Sequence, residues 1–384
     1  LNNKILYCAT VDYHFKAFHL PYMKWFKEQG WIVDVAAAGT INLPYTDNKY
    51  NIPIQRSPFN RSNIEAFKQL KSIIEQQNYS IIHCHTPLGG VMARLAARKA
   101  RKQGTKVIYT AHGFHFCKGA PPASWLIYYP IERYLSRLTD RLITINHEDY
   151  QLARKHRFKA DHIEQVHGVG VDTDRFKPIA ETEKAELKRS FGYKADDFLL
   201  FYAAEFNKNK NQQFLLQALA LLKEEVPNAK LLLAGEGALL ENSRGLAESL
   251  GVSHMVDFLG FRKDIHQLLP ACDLAVASSF REGLPVNVME AMACGLPVVA
   301  VDNRGHRELV QNNKNGWLLT DWNPMEFSNK IKVLIHSAAM RKEFGMNGRS
   351  LIMNSYSTDK VLTEKVNIYK QYMEREEAAI WAVH

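Results

Sequence analysis

Two glutamates, Glu282 and Glu290, interrupt the largely apolar run 281-REGLPVNVMEAMACGLPVVA-300. A carboxylate can accept two hydroxyl hydrogen bonds at once, so this pair suits vicinal diols such as those of a ribose or a hexose. Pro285 predicts the first turn of a helix that runs to about Cys294, with Gly295 closing it. The free N–H groups at that helix start favour a diphosphate. One short segment thus offers contacts for sugar, phosphate and ribose. The same residues also read as a helix-start charge and a solvated helix-face charge. His112, just past the strand pattern 106-KVIYTA-111, can hydrogen-bond a sugar or help neutralise developing phosphate charge, or simply cap a strand end. His83 lies inside a buried strand pattern and reads as structural. His85 and the glycines of 86-TPLGG-90 precede a helix and also fit plain turn chemistry.

These residues need elements to position them. Strand patterns at 5–11, 31–37, 80–85, 106–111 and 141–146 alternate with helical ones at 15–29, 62–77, 88–103 and 124–138. The rhythm repeats with strands at 198–204, 230–235, 255–260, 273–278, 297–301 and 316–320. Near-continuous apolar strands joined by helices predict an α/β protein whose parallel sheets are covered on both faces. At 384 residues the expectation is two facing, doubly wound, Rossmann-like domains with a ligand cleft between them. The expected boundaries are 1–178, 179–358 and a C-terminal helix over 359–384 with room to cross back to the first domain.

Composition narrows the class. With 46% hydrophobic and 23% charged residues the chain is globular, and no apolar run approaches the ~20 residues of a bilayer span. Five scattered cysteines without CxxC spacing suggest a reduced, cytoplasmic setting. Neither an HExxH motif nor a Cys/His ligand spacing is present, so no metal site is expected. Residues 1–178 carry 25 Lys and Arg against 14 Asp and Glu, whereas the remainder carries 24 against 26. Anionic lipid, a phosphorylated acceptor, nucleic acid or plain solvated helix faces each account for that bias.

Glu282-x7-Glu290 resembles the E-x7-E signature of retaining GT-B glycosyltransferases of family 4. The runs 5-ILYCATVDYHFKAFHLPYMKWFK-27, 83-HCHTPLGG-90, 108-IYTAHGFHFCKGA-120 and 302-DNRGHREL-309 are similar to those of EpsD-type exopolysaccharide transferases. The resemblance implies a nucleotide-sugar donor in the second domain, with Glu290 on its ribose and Glu282 on the transferred sugar. It places the backbone of Gly283, Leu284, Val286 and Asn287 against sugar and phosphates, Gly235 and Gly237 against the nucleotide, and Phe261 and Arg262 near the base. His112 and Glu282 would be the catalytic pair, Glu282 as a donor-orienting group. Two positions depart from the broader family. Glu205 stands where many relatives carry an arginine, leaving Lys210 to hold the diphosphate, with Lys208 or Arg281 as helpers. Pro285 replaces a residue whose N–H could donate.

Acceptor contacts are assigned to Asp12, His14, His85, Gly89 and Gly90. The resemblance implies metal-independent transfer without a cofactor, from a UDP-sugar, with N-acetylhexosamine moving to a polyprenyl-diphosphate-linked saccharide for exopolysaccharide or capsule. Other polysaccharide-assembly enzymes are possible partners, and no nucleic acid is expected. Basic and aromatic residues over 14–30 and 94–106 suggest peripheral attachment to the anionic inner face of the plasma membrane. The competing classes are a UDP-sugar 2-epimerase of similar fold and a non-catalytic nucleic-acid or anion binder.

Overall fold

The computed structural model describes residues 2–55, 57 and 59–381. The chain forms two compact units: one takes the chain up to Gly170 and again from Asp359, and the other is Val171–Thr358.

The first unit holds a seven-stranded sheet of β1 (Asn2–Val11), β2 (Ile32–Ala38), β3 (Asn48–Asn51), β4 (Tyr79–His85), β5 (Lys106–Ala111), β6 (Arg141–Thr144) and β7 (His162–Gln165). Their spatial order is β3-β2-β1-β4-β5-β6-β7, and every pairing is parallel. The second unit repeats the plan with β8 (Phe198–Ala203), β9 (Ala229–Ala234), β10 (Val256–Gly260), β11 (Leu274–Ala277), β12 (Val298–Val301) and β13 (Gly316–Leu319). Their order is β10-β9-β8-β11-β12-β13, again wholly parallel. Each order reverses direction once, between β1 and β4 and between β8 and β11. The loops leaving those strands diverge there and open a crevice at the carboxyl ends.

Central strands read as continuous apolar runs because helices cover both faces. All seven residues of β4 are buried. The polar edge strands β3 (NKYN) and β7 (HIEQ) lack that signal, which is why the sequence pattern does not reveal them. The helical pattern over 15–29 is two helices, Tyr13–Phe18 and Leu20–Glu28, parted at His19. Pro21, near the start of the second helix, has no N–H with which to continue the first. The 88–103 pattern likewise divides at Ala97.

The helix Thr358–Trp381 is tied to the first unit by polar contacts. Tyr369 Oη lies 2.7 Å from His83 Nδ1, Arg141 Nε donates to Tyr372 Oη at 3.0 Å, and the Glu364 carboxylate accepts from the His167 backbone N–H at 3.0 Å. Among the described residues no helix is long and apolar enough to cross a membrane.

Candidate functional site

In the second unit the two loops at the direction reversal are sewn together. After β8, the loop through Lys210 is held by the loop after β11. Phe280 N–H donates to the Asn209 carbonyl at 2.8 Å, Asn209 Nδ2 donates to the Arg281 carbonyl at 2.9 Å, and Ser278 Oγ donates to the Lys210 carbonyl at 2.8 Å. These bonds bring Lys210 Nζ into an ion pair with Glu282 Oε1, although 72 residues separate them in sequence. Two residues outside the expected site complete the loop's support. Arg304 Nε donates to the Glu282 carbonyl at 2.9 Å, and buried Asn303 caps the Arg304–Leu309 helix through the N–H groups of Gly305 and His306. The run 302-DNRGHREL-309 is a recognisable motif, but its contact with Glu282 carries no linear signal.

The helix Val286–Ala293 starts at Pro285. Asn287 Nδ2 donates to the Ala203 carbonyl at 2.9 Å, fixing the helix start over the end of β8. Leu284 is buried, while Gly283, Val286 and Glu290 are partly buried. Burial pushes the Glu290 carboxyl up to about 7, with Arg175 acting against the rise. Because the folded value lies above the unfolded one, protonated Glu290 contributes stability that is complete below the unfolded value and is lost as pH rises through about 7. Glu290→Gln should therefore raise the thermal midpoint of the free protein at pH 8 and leave it nearly unchanged at pH 5; equal gains at both values would contradict this.

Gly235 and Gly237 have φ of +146° and +149°, and a Cβ on them would lie 2.1 Å from the Ala204 carbonyl oxygen and 2.4 Å from that of Phe206. Close backbone packing therefore requires both glycines, independently of any ligand. Arg262 is engaged by Asp264, with Nε 2.7 Å from Oδ1. Phe261, Glu205 and Lys208 are exposed.

In the first unit the carboxyl ends of the strands at the β1/β4 reversal carry histidines. His14 and His19 follow β1, His85 ends β4 and His112 follows β5. The Nε2 atoms of His14 and His19 are 3.0 Å apart, and His85 Nδ1 lies 3.3 Å from His112 Nε2. Burial pushes all four imidazoles down, His14 to about 4; neighbouring rings add to the effect on His19, His85 and His112, and the buried Lys365 adds to it on His14, His19 and His112. His83 stands apart: its ring nitrogens meet Tyr369 Oη at 2.7 Å and Thr110 Oγ1 at 2.8 Å, which gives it a structural role. Thr86 has φ +61°, a strained value for a β-branched residue, and its hydroxyl accepts from Thr10 N–H at 3.0 Å. Asp12 is buried and braces the 39–41 loop, accepting from Ile41 N–H at 2.7 Å and Lys49 Nζ at 2.5 Å. Gly89 and Gly90 are buried in the Pro87–Ala96 helix, where it packs on β1 and on Tyr109.

Residues 183–351 match the family model described as Glycosyl transferases group 1, and residues 4–146 that described as Glycosyl transferase 4-like. Over 374 residues the chain is 51% identical to EpsD of Bacillus subtilis (strain 168), covering 97% of this chain and 98% of that one. The chain belongs to the group 1 glycosyltransferases. This glycosyltransferase is also 26% identical, over 80% of its length and 81% of the other chain, to an Escherichia coli enzyme named UDP-Gal:alpha-D-GlcNAc-diphosphoundecaprenol alpha-1,3-galactosyltransferase. Anabaena HepE in complex with UDP and glucose has the same fold, with a TM-score of 0.78 and 20% identity over 96% of this chain and 99% of that one. The two Rossmann-like units are thus those of a GT-B transferase.

The two segments expected to face an anionic surface are partly committed to the interior of the first unit in this glycosyltransferase. Phe15, Tyr22 and Phe26 are buried in the core. Arg94 is buried too, its guanidinium forked onto Glu132 at 2.8 and 3.1 Å and lying over the Tyr109 ring at 3.9 Å. Arg101 is bonded to Asp140 and Asp161 at 3.0 Å each. Leu95, Arg98, Lys99 and Lys102 remain exposed, and a further group of exposed apolar side chains lies on the helix Pro122–Leu135, where Leu126 is 79% exposed and Ile127, Ile131 and Tyr134 are exposed as well.

Proposed function

We propose that this glycosyltransferase is a retaining enzyme that moves an N-acetylhexosamine from a UDP-sugar to a polyprenyl-diphosphate-linked saccharide in exopolysaccharide or capsule assembly. The reading rests on one observation: Lys210 and Glu282 meet at the β8/β11 reversal, beside the start of the helix that carries Glu290. The Lys210 ammonium suits the leaving diphosphate, Glu282 the hydroxyls of the transferred sugar, and Glu290 the ribose diol. His112 takes a donor-sugar contact, and the first unit, with its lysine and arginine surplus, takes the acceptor. The E. coli relative supports a UDP donor and a lipid-diphosphate acceptor, since its name specifies UDP-Gal and a diphosphoundecaprenol-linked GlcNAc; the sugar it moves is galactose.

A panel of UDP-, GDP- and ADP-sugars tests the donor class through thermal stabilisation followed by transfer. Stabilisation by UDP-sugars is expected; preference for another nucleotide, or conversion of the donor to an epimer without acceptor, would overturn the reading. Donor binding needs Glu290 ionised, so affinity should fall as pH drops below about 7, and Glu290→Gln should flatten that profile.

The exposed apolar face of the Pro122–Leu135 helix, with Arg133, Arg137 and Lys118 exposed nearby, supports attachment to an anionic lipid surface. Sedimentation with anionic liposomes should drop on Leu126→Glu/Ile127→Glu by roughly ten-fold or more. Unchanged partition would remove this helix from the membrane contact.

A further inference from the structure

Four histidines drawn from the carboxyl ends of β1, β4 and β5 and the segments that follow them form a cluster that no short motif announces. One ring nitrogen from each of His14, His19, His85 and His112 lies within 4.8 Å of those of the other three. The expectation of no metal site rests on linear spacing, whereas these residues converge only through the β1-β4-β5 neighbourhood of the sheet.

Two observations point to a ligand. His19 Nδ1 and His85 Nε2 are buried and have no hydrogen-bond partner among the described residues. A buried polar atom left unpaired is costly, and a native fold rarely retains two such atoms on rings whose centres are 4.1 Å apart without a reason. The second is convergence: one nitrogen from each of the four rings lies within 4.8 Å of the other three, against about 3.3 Å between imidazole nitrogens around a tetrahedral zinc at about 2.0–2.1 Å. The 3.0 Å His14–His19 and 3.3 Å His85–His112 contacts use His19 Nε2 and His85 Nδ1, the nitrogens other than the unpaired ones.

We propose that His14, His19, His85 and His112 form a binding site for a zinc-class divalent cation. Imidazole is a preferred ligand of zinc, cobalt, nickel and copper, whereas magnesium and calcium select oxygen. His14 and His112 are only partly buried, which gives the ion an entry side, while His19 and His85 are fully buried. His83 is excluded because Tyr369 and Thr110 already use both of its nitrogens. One feature opposes a dication. Lys365 is fully buried with no hydrogen-bond partner among the described residues, its Nζ 4.4 Å from the centre of the Tyr22 ring, and its charge acts on His14, His19, His83 and His112. Removing that charge should tighten binding.

The site goes beyond the proposed transfer reaction, which needs no ion, and it has a consequence for it. An ion held by His112 withdraws that imidazole from the donor sugar, so zinc loading is expected to inhibit transfer and chelator to restore it.

The test uses tag-free, chelator-treated full-length protein titrated with cobalt(II). One ion per chain is expected, with the intense visible absorption of a tetrahedral nitrogen site, displaced by zinc. Zinc should also raise the thermal midpoint in a concentration-dependent way. His19→Ala and His85→Ala should each weaken binding by about 100-fold or more, the exposed His162→Ala should leave it unchanged, and Lys365→Met should strengthen it. Absence of stoichiometric binding to the wild-type protein would overturn the site, as would binding that survives both His19→Ala and His85→Ala. If zinc binds as described but transfer is unaffected, the cation site stands and the donor role of His112 falls.

Discussion

Lys210→Ala should lower kcat by roughly 10²–10³-fold, the size of effect seen when one preorganised charge or donor is removed from a developing anion. In the donor-free protein Lys210 is paired with Glu282, and both side chains are largely shielded, 24% and 13% exposed. An arriving diphosphate competes with the carboxylate for the ammonium, and the gain grows as the glycosidic bond to phosphate breaks and charge builds on the leaving group. The substitution therefore acts more on kcat than on donor KM. Because the pair is largely shielded, Lys210→Ala leaves the Glu282 carboxylate uncompensated and should also lower the thermal midpoint, so kcat is compared at a temperature well below it. A loss in kcat without a matching change in donor KM there separates a reaction role from a structural one. Because the two residues touch, the losses in Lys210→Ala and Glu282→Gln should not add in the double variant. A kcat within three-fold of wild type for Lys210→Ala would remove it as the diphosphate anchor; that threshold corresponds to about 0.6 kcal/mol, too little for a charge facing the leaving group.

Glu290→Ala should weaken donor binding by roughly 10²–10³-fold, the equivalent of two hydrogen bonds to a charged acceptor at about 1.5–3 kcal/mol each, less the cost of ionising the group. The elevated carboxyl of the free protein sets this residue apart from an ordinary helix-face glutamate, which would stay in the usual carboxylate range. A carboxylate held against its preference for water is a poor choice for stability and a good one for accepting two hydroxyls. The loss should appear with UDP alone, since the ribose belongs to the nucleotide. Glu282→Gln should leave UDP affinity nearly intact and weaken only the intact UDP-sugar. Calorimetric titration of both ligands into both variants checks the division. If the Glu290→Ala protein bound UDP like wild type, the ribose assignment would be refuted.

What could be read from the sequence depended on whether the signal was local. Glu282 and Glu290 lie eight residues apart in one strand–loop–helix unit, so their placement followed from Pro285, Gly295 and the flanking apolar runs. Both sheets were legible for a similar reason: buried parallel strands are uninterrupted apolar runs, and only the polar edge strands β3 and β7 lack that mark. Contacts between distant segments were not legible. The Lys210–Glu282 pair joins residues 72 apart and Arg304 reaches Glu282 from 22 residues away. Arg94 reads as a surface cation until Glu132, 38 residues on, is seen folded against it. The histidine cluster required the carboxyl ends of β1, β4 and β5 to converge. The exposed face of the Pro122–Leu135 helix was missed because an amphipathic pattern does not say which face the core will take.

The most direct test is transfer itself: UDP-N-acetylhexosamine and a polyprenyl-diphosphate-linked saccharide incubated with the protein in excess chelator, with the new glycosidic bond read by proton NMR. The expected result is a lipid-linked product whose anomeric configuration matches that of the donor. A product of inverted configuration, or no transfer without added metal, would contradict a retaining, metal-independent reaction built on Lys210, Glu282 and Glu290.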